Sequence, residues 1–259
     1  MTSVAEAIRG ALLTGEPREK VKAARAVVRA WRRGNLAFAF AAPMPGLPAW
    51  PADLELLPPN RMPRRGAGGS QPKAIALWHS LAHIEFVAID LALDMAGRFG
   101  AEMGRPFVDD FLSVVADEAM HFALIDRKLR GLGSRYGALP AHDGLWEAAL
   151  NTRHDVAARL AVVPMVLEAR GLDVSPGIRD RVLRQGDLRG AQILQRILDD
   201  EIRHVAVGAK HFKILSKKYG KSPEIYWKTL VAAHFRGNLK PPFNDSARLA
   251  AGLSRDYYA

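Results

Sequence analysis

The sequence predicts an all-α protein built around a four-helix bundle, and two observations carry that prediction. From residue 73 onwards, apolar residues recur at helical spacing in four long stretches, with glycines where helices commonly end. No stretch alternates apolar and polar residues between turn pairs, so strands are expected to be scarce or absent. Four long helices that share one apolar core form a bundle.

The elements follow in three regions. Residues 1–72 combine a basic amphipathic helix at 18–42 with a Pro- and Gly-dense strap at 43–72, which is expected to pack on the bundle. The bundle occupies 73–217, and a helix and tail occupy 218–259. Pro164 is expected to kink the third bundle helix. The bundle helices and the shorter helix after them are predicted at about 73–99, 107–131, 145–171, 187–217 and 222–236.

Composition excludes several classes of protein. The chain has no cysteine, which excludes disulfides, thiolate zinc sites and iron–sulfur ligation. No uninterrupted apolar run approaches the roughly 20 residues of a membrane span. The N-terminus lacks a basic start followed by an apolar block, so no signal peptide is predicted and the expected location is cytoplasmic.

The net charge of +10 is concentrated at the two ends of the chain. Residues 1–73 and 205–259 each carry about +7, whereas residues 74–204 have more acidic than basic side chains. Solvated basic surfaces explain this pattern, and so does contact with a polyanion such as RNA, a nucleotide or a membrane surface. RMPRR (61–65) and KKYGK (217–221) are the first candidates for such contacts.

An Asp-Glu-x-x-His pattern occurs twice, as DEAMH at 117–121 and DEIRH at 200–204. Two further glutamates, Glu85 and Glu168, lie in the other two long helices. Each precedes the glutamate of the following pattern by 33 residues, so two helical hairpins carry acids at the same relative height. The residues three, four and seven positions away from each glutamate are mostly apolar, which predicts that all four carboxylates face the bundle interior.

Four uncompensated carboxylates in an apolar core would be strongly destabilising. Two divalent cations would balance them, since the four glutamates contribute four negative charges and two neutral histidines contribute none. Oxygen-rich ligation with one nitrogen per metal suits iron or manganese. A single Glu-x-x-His is a weak signal, but two of them with two equally spaced interior glutamates favour a dinuclear site. The predicted ligands are Glu85, Glu118, His121, Glu168, Glu201 and His204.

The pattern resembles that of the ferritin-like di-iron carboxylate proteins over about residues 74–215. That resemblance implies two iron ions, with manganese or a mixed Mn/Fe pair suiting the same ligands. It also implies that Asp117 and Asp200 orient the ligand histidines by hydrogen bonding. The whole chain further resembles a bacterial ferritin-like family of unknown function, through ELLPPNRMPRR (55–65), HSLAHIEFVAIDLALD (79–94) and PPFN (241–244).

The resemblance leaves several functions open. We favour O2-dependent oxidation of an organic substrate, of hydroxylase or monooxygenase type, with electrons from an external reductase. A tRNA-modifying hydroxylase that uses the basic flanks is an alternative, as are iron storage (ferroxidase activity) and a non-enzymatic scaffold stabilised by metal. A tyrosyl-radical generator is disfavoured because Ile125 lies one turn after His121. His79, His83 and His211 are interpreted as hydrogen-bonding core residues rather than ligands.

Overall fold

The all-α prediction is confirmed by the computed structural model, which describes residues 1–58, 61–62 and 70–259. Within these residues no strand is present, and only isolated bridges join Ser3 to Ala37 and Leu56 to Ala141. The chain divides into two compact units, Met1–Trp146 and Glu147–Ala259.

Four helices lie within the described residues of the first unit, and a fifth, α5, begins at its end and continues into the second unit. The two long helices of the first unit, α3 and α4, pack along one another and are separated only by Gly104, whose positive φ of 84° favours glycine. Helices α1 and α2 pack on this pair. The bounds are α1 Val4–Leu12, α2 Pro17–Arg32, α3 Gln71–Met103, α4 Arg105–Gly131 and α5 Gly144–Asn151.

The second unit is also helical throughout its regular elements. Helices α6 and α7 are joined by a π-helical segment, Val163–Glu168, and both pack on the long helix α8. The indole of Trp227 donates to the carbonyl of Ala161, two residues before that segment, at 3.1 Å. The bounds are α6 Val156–Val162, α7 Ala169–Arg184, α8 Leu188–Lys218, α9 Pro223–His234, α10 Asp245–Ala250 and α11 Arg255–Tyr258.

At the N-terminus one predicted helix is wrong in its end, and one helix was not predicted. The predicted helix 18–42 ends as α2 at Arg32, and Gly34 adopts a positive φ of 70° just after it. Helix α1 was not predicted, although its sequence signal is present. Ser3 and Glu6 form a capping box, in which the Ser3 hydroxyl accepts from the Glu6 amide at 3.1 Å and the Glu6 carboxylate accepts from the Ser3 amide at 2.8 Å.

The third predicted helix, 145–171, is also wrong in its bounds. The chain breaks between α5 and α6, where Asp155 caps α6. The buried Arg159 donates back to the Ala149 carbonyl at the end of α5 at 2.5 Å. Gly171 does not end the helix, which continues to Arg184. At Pro164 the backbone adopts π geometry, as expected for a residue that removes one helical hydrogen bond.

The described part of the strap packs on the first unit through its backbone. The amide of Leu57 donates to the Ala141 carbonyl at 2.8 Å, and the Arg98 guanidinium donates to the Pro45 carbonyl at 3.0 Å. The Trp146 indole donates to the Gly46 carbonyl at 3.0 Å. These bonds satisfy carbonyls that have no partner within a helix or strand.

Helix α3 is long and apolar enough to cross a membrane by length and composition alone, with a mean hydropathy of 1.3 over 18 residues. Of that window, 61% is buried within the protein. The helix also contains the buried acids Glu85, Asp90 and Asp94. These features are those of a core helix. Because polar and acidic residues interrupt its apolar sequence, this helix contains no long uninterrupted apolar run.

Candidate metal-binding site

Helices α3 and α4 bring three of the predicted ligands together. Glu85, Glu118 and His121 are 5%, 1% and 0% exposed. The Nδ1 atom of His121 lies 3.3 Å from Glu85 Oε2 and 3.3 Å from Glu118 Oε2. Each residue thus offers a ligand atom within 4.8 Å of the others, and the group could hold a metal ion.

The acids of this group control the protonation of the imidazole. Burial lowers the pKa of His121, but hydrogen bonds and charge from Glu118 and Glu85 outweigh it and raise the pKa to about 11. A proton on His121 therefore offsets part of the buried negative charge. A divalent cation would take over that role, because it binds the neutral imidazole and both carboxylates. Two carboxylates and one imidazole are a donor set that a divalent metal ion can use.

The second unit places the remaining predicted ligands on two elements. On α8, Glu201 is 8% exposed and His204 is 2% exposed, with His204 Nδ1 3.6 Å from Glu201 Oε1. Glu168 is the last residue of the π segment and is only half-buried, contrary to the expectation that all four glutamates are interior. The helical break at Pro164 accounts for that difference, because π geometry changes the direction of the residues that follow it.

The two aspartates expected to orient histidines differ in their surroundings. Asp200 is buried and forms ion pairs with two arginines of its own helix, Arg196 at 2.7 Å and Arg203. These arginines neutralise the carboxylate and hold its position. Asp117 is half-buried on α4. Their proposed role in orienting His121 and His204 stays a prediction.

His79 and His83 are confirmed as hydrogen-bonding core residues. His83 Nε2 donates to the His142 carbonyl at 2.7 Å, so its Nδ1 accepts from the Tyr136 hydroxyl at 2.9 Å. Burial lowers the pKa of His83 to about 4, which keeps the ring neutral. His79 Nε2 accepts from the Gly137 amide at 3.0 Å. His211 is buried on α8, as expected of a core residue.

A buried ion pair in the first unit was missed by the sequence analysis. Lys20 Nζ lies 2.5 Å from Asp90 Oδ1, and both side chains are fully buried. Burial raises the pKa of Asp90 to about 7, although Lys20 acts in the opposite direction. The signal for Asp90 was its position as an acid within the apolar run of α3. Nothing in the linear sequence indicates that its partner lies 70 residues earlier.

The basic segments proposed for polyanion contact are described only in part. Residues 217–221 are exposed at the end of α8, as contact with a partner requires. In the RMPRR segment, residues 63–65 lie outside the described residues, and so do residues 59–60 of the ELLPPNRMPRR resemblance. Arg61 itself is exposed.

Fold and site together define an all-α protein with a buried glutamate–histidine group that could hold a metal ion. The chain belongs to the DUF455 family, described as a protein of unknown function, whose family model matches residues 13–259. It is similar to a protein of Haemophilus influenzae described only as an uncharacterized protein. The two are 39% identical over 219 residues, which cover 82% of this chain and 76% of the relative. No solved structure matches the chain.

Proposed function

We propose that this protein is a ferritin-like four-helix-bundle protein that holds two iron ions and uses them for O2-dependent oxidation of an organic substrate. The observation that carries the proposal is the buried group of Glu85, Glu118 and His121 on one helical hairpin. Buried carboxylates need a compensating cation. Two carboxylates with one imidazole suit a metal ion that binds both oxygen and nitrogen ligands.

The dinuclear part of the proposal rests on the internal repeat. Glu168 and Glu201 have the same 33-residue interval as Glu85 and Glu118, and each hairpin ends its pattern with a histidine. Two carboxylates and one imidazole per hairpin would provide four negative charges in total. Two divalent ions would neutralise them, which supports two metals rather than one.

Iron bound in this way would supply the reduction of dioxygen and the oxidising equivalents for the substrate. The chain's own residues would prepare the site. His121 would release the proton that it shares with Glu85 and Glu118 when a cation binds, so metal uptake would release protons. Phe86 and Phe122, which follow two of the ligands in the chain, are buried with ring centroids 5.3 Å apart and keep water out of the surrounding core.

The electrons for such a reaction would come from another protein. The chain has no cysteine for an iron–sulfur cluster and no Gly-rich dinucleotide loop in its sequence. A reductase is therefore part of the proposal as the external electron donor.

The test is metal analysis together with optical absorption, on protein produced with abundant iron and exposed to O2 in its ferrous form. We expect about two irons per chain, as in other ferritin-like di-iron sites, and a near-ultraviolet band after O2 is added. Glu118→Ala should lose both the iron and the band. Glu102→Ala, an exposed glutamate at the end of α3, is the matched control and should keep both.

Two results would count against the proposal. Protein that folds normally but holds only zinc, or no metal, would exclude the oxygenase. Uptake of iron far beyond two ions per chain, with O2 consumed in proportion, would indicate ferroxidase and storage activity instead. Consumption of O2 that ends after one turnover without a reductase would support an oxygenase that needs an external donor.

A further inference from the structure

Helix α2 exposes a basic face to solvent. Successive residues of an α-helix lie about 100° apart around its axis, and this spacing places the six residues of the face within an arc of about 100°. The apolar residues Val21, Ala24, Val27, Val28 and Trp31 lie on the other side of the helix and are buried. The basic face consists of Arg18, Lys22, Arg25, Arg29, Arg32 and Arg33.

Most of these cations have no acidic partner. Five of the six residues are exposed, and Arg25, which is half-buried, donates to the Ala119 carbonyl at 3.2 Å. Lys22 pairs with Glu19 at 2.6 Å, whereas the four exposed arginines form no ion pair with any residue that the structure describes. Because neighbours on the face lie three or four residues apart, their charges repel one another along the helix. A polyanion bound to the face would remove that repulsion.

The charge and the length of the basic face suit a chain of phosphates. Six cations and Glu19 leave a net charge of +5 over roughly 24 Å of helix. Five of the cations are arginines, whose guanidinium groups bind phosphate oxygens through two parallel hydrogen bonds. The uncharged residues beside them are Ala23, Ala26 and Ala30, whose side chains form no hydrogen bond with a base. The face is therefore suited to a phosphate backbone rather than to one base sequence.

An anionic membrane fits α2 less well than a nucleic acid does. A helix that binds at a membrane surface inserts its apolar side among the lipids. The apolar side of α2 packs on α1 and α4, and Trp31 on that side is only 6% exposed. Only the charges of α2 remain available to a partner.

An exposed aromatic ring lies beside the last turn of α2. Phe38 is 39% exposed, and its ring centroid is 6.2 Å from that of Trp31. The Arg105 guanidinium lies 4.5 Å from the Trp31 centroid and 5.3 Å from the Phe38 centroid, and its charge offsets that of Asp109, which accepts from the Trp31 indole at 2.7 Å. Unpaired bases stack on a ring of this kind next to a guanidinium. Such bases occur in the loops of folded RNA and not in a continuous DNA duplex.

We propose that the basic face of α2 binds the phosphate backbone of a folded RNA, one with a helical stem and unpaired bases, and that Phe38 stacks on an unpaired base beside it. RNA binding of this kind goes beyond the proposed oxidation and does not depend on it, because none of these residues is a predicted metal ligand. Protein with and without bound iron should therefore bind RNA with equal affinity.

Fluorescence anisotropy of the full-length protein with a labelled RNA hairpin, repeated over a range of salt concentrations, tests the proposal. The logarithm of the binding constant should fall with the logarithm of the salt concentration, with a slope of about −4 for five phosphate contacts. The triple variant Arg18→Gln/Arg29→Gln/Arg33→Gln should make that slope shallower by about two and weaken binding about 100-fold at about 0.1 M salt.

The matched control removes the same charge from the second unit. Arg181→Gln/Arg184→Gln/Arg189→Gln alters three exposed arginines and should bind the hairpin like the unmodified protein. Circular dichroism checks that each variant is folded. If the first triple variant fails to fold, Arg29→Gln alone repeats the test, with an expected change in slope of about one.

Phe38→Leu, which keeps an apolar side chain but removes the ring, separates stacking from charge. It should weaken binding of the hairpin about tenfold and leave binding of a blunt RNA duplex of the same stem unchanged. Any of four results would overturn the proposal: equal weakening by the two triple variants, unchanged hairpin binding by Phe38→Leu, binding of a DNA duplex of the stem sequence as tight as that of the hairpin, or tighter binding to vesicles of phosphatidylglycerol and phosphatidylcholine.

Discussion

The Lys20–Asp90 ion pair shows how a single buried contact connects distant parts of the first unit. Lys20 on α2 donates to Asp90 on α3 and also to the Leu12 carbonyl at the end of α1 at 3.0 Å. One ammonium group therefore joins three helices. Because water cannot replace either partner, the loss of one leaves an uncompensated charge in the core.

Substituting one partner of this pair should destabilise the protein strongly. We expect Lys20→Met or Asp90→Leu alone to lower the free energy of unfolding by about 3–5 kcal/mol, measured by urea denaturation. The double variant Lys20→Met/Asp90→Leu should regain most of that loss, since it leaves no buried charge. Lys22→Met, which removes an exposed pair with Glu19 on the same helix, is the control and should change stability little.

The same aspartate should make stability depend on pH. The pKa of Asp90 is raised to about 7, mainly by burial, whereas an unfolded aspartate titrates near pH 4. Between these values the folded protein binds the proton of Asp90 more tightly than the unfolded chain does. The resulting contribution to the free energy of unfolding is therefore complete below about pH 4 and is lost as the pH rises through about 7. Urea unfolding from pH 5 to 8 should show stability falling with pH in the native sequence. If the free energy of unfolding falls with pH just as steeply in Asp90→Asn, Asp90 is not the group responsible.

At the scale of helices, the sequence predicted the long elements well and the breaks between them poorly. Helices α3, α4 and α8 follow from apolar periodicity over many turns, and their bounds lie within a few residues of those expected. The break before α6 was missed because it depends on Arg159, which bonds back to α5 through tertiary contacts. Gly171 was taken for a helix end because glycine is common there, yet its backbone stays helical.

In the candidate site, too, the sequence predicted some features and not others. Spacing placed Glu85, Glu118 and His121 on one hairpin, and the structure brings their ligand atoms within 4.8 Å. This works because helical geometry fixes which residues share a face. The kink at Pro164 was expected, but the half-buried position of Glu168 depends on the extent of the π segment, which the sequence does not give. Burial of Lys20 was equally unpredictable, because its partner comes from another helix.

Because α8 packs closely against the π segment, a larger side chain on α8 at this contact should lower the stability of the protein. A Cβ atom at Gly208 on α8 would lie 2.5 Å from both Cβ and Cγ of Pro164, and the proline ring cannot turn away. Gly208→Ala should therefore lower the free energy of unfolding by about 1–3 kcal/mol, the usual cost of overpacking. Thermal or urea unfolding gives the value.

Gly171→Ala is the control for that experiment. Gly171 lies in α7 with open space around its Cα, so alanine there should be neutral or stabilise the helix by up to about 1 kcal/mol. Equal effects of the two substitutions would contradict the close approach of α8 to Pro164.

The C-terminal tail is fixed to α7 by a second buried ion pair. Arg248 donates to both oxygens of Asp173 at 2.8 and 2.7 Å, and Asn244, which follows the PPF residues of the resemblance, donates to the Leu172 carbonyl at 3.1 Å. Arg248→Ala should cost about 3–5 kcal/mol in unfolding free energy and expose the tail to limited proteolysis. Arg255→Ala, from an exposed pair with Asp245, should do neither.

At the scale of the whole molecule, the proposed pair of iron ions has its predicted ligands on both repeats of the sequence. A ligand that binds only the folded protein stabilises it, by about 3–4 kcal/mol when its concentration is 100 to 1,000 times the dissociation constant. If the ligands of both hairpins serve one dinuclear centre, loss of any strong ligand removes the same binding event. If the two hairpins form separate sites, the loss of a ligand removes only the stabilisation that comes from the iron bound to its own hairpin.

Ferrous iron should therefore raise the unfolding temperature in a way that distinguishes these cases. We expect Glu118→Ala and Glu201→Ala each to abolish most of the iron-dependent increase, and the double variant to lose no more than either one, because the proposed dinuclear centre needs the ligands of both hairpins. Separate sites would give partial losses that add. The comparison is made anaerobically by calorimetry with and without Fe²⁺, and Glu102→Ala should keep the full increase. Since metal-free stability is measured for each variant, a general loss of stability is not mistaken for a loss of metal binding.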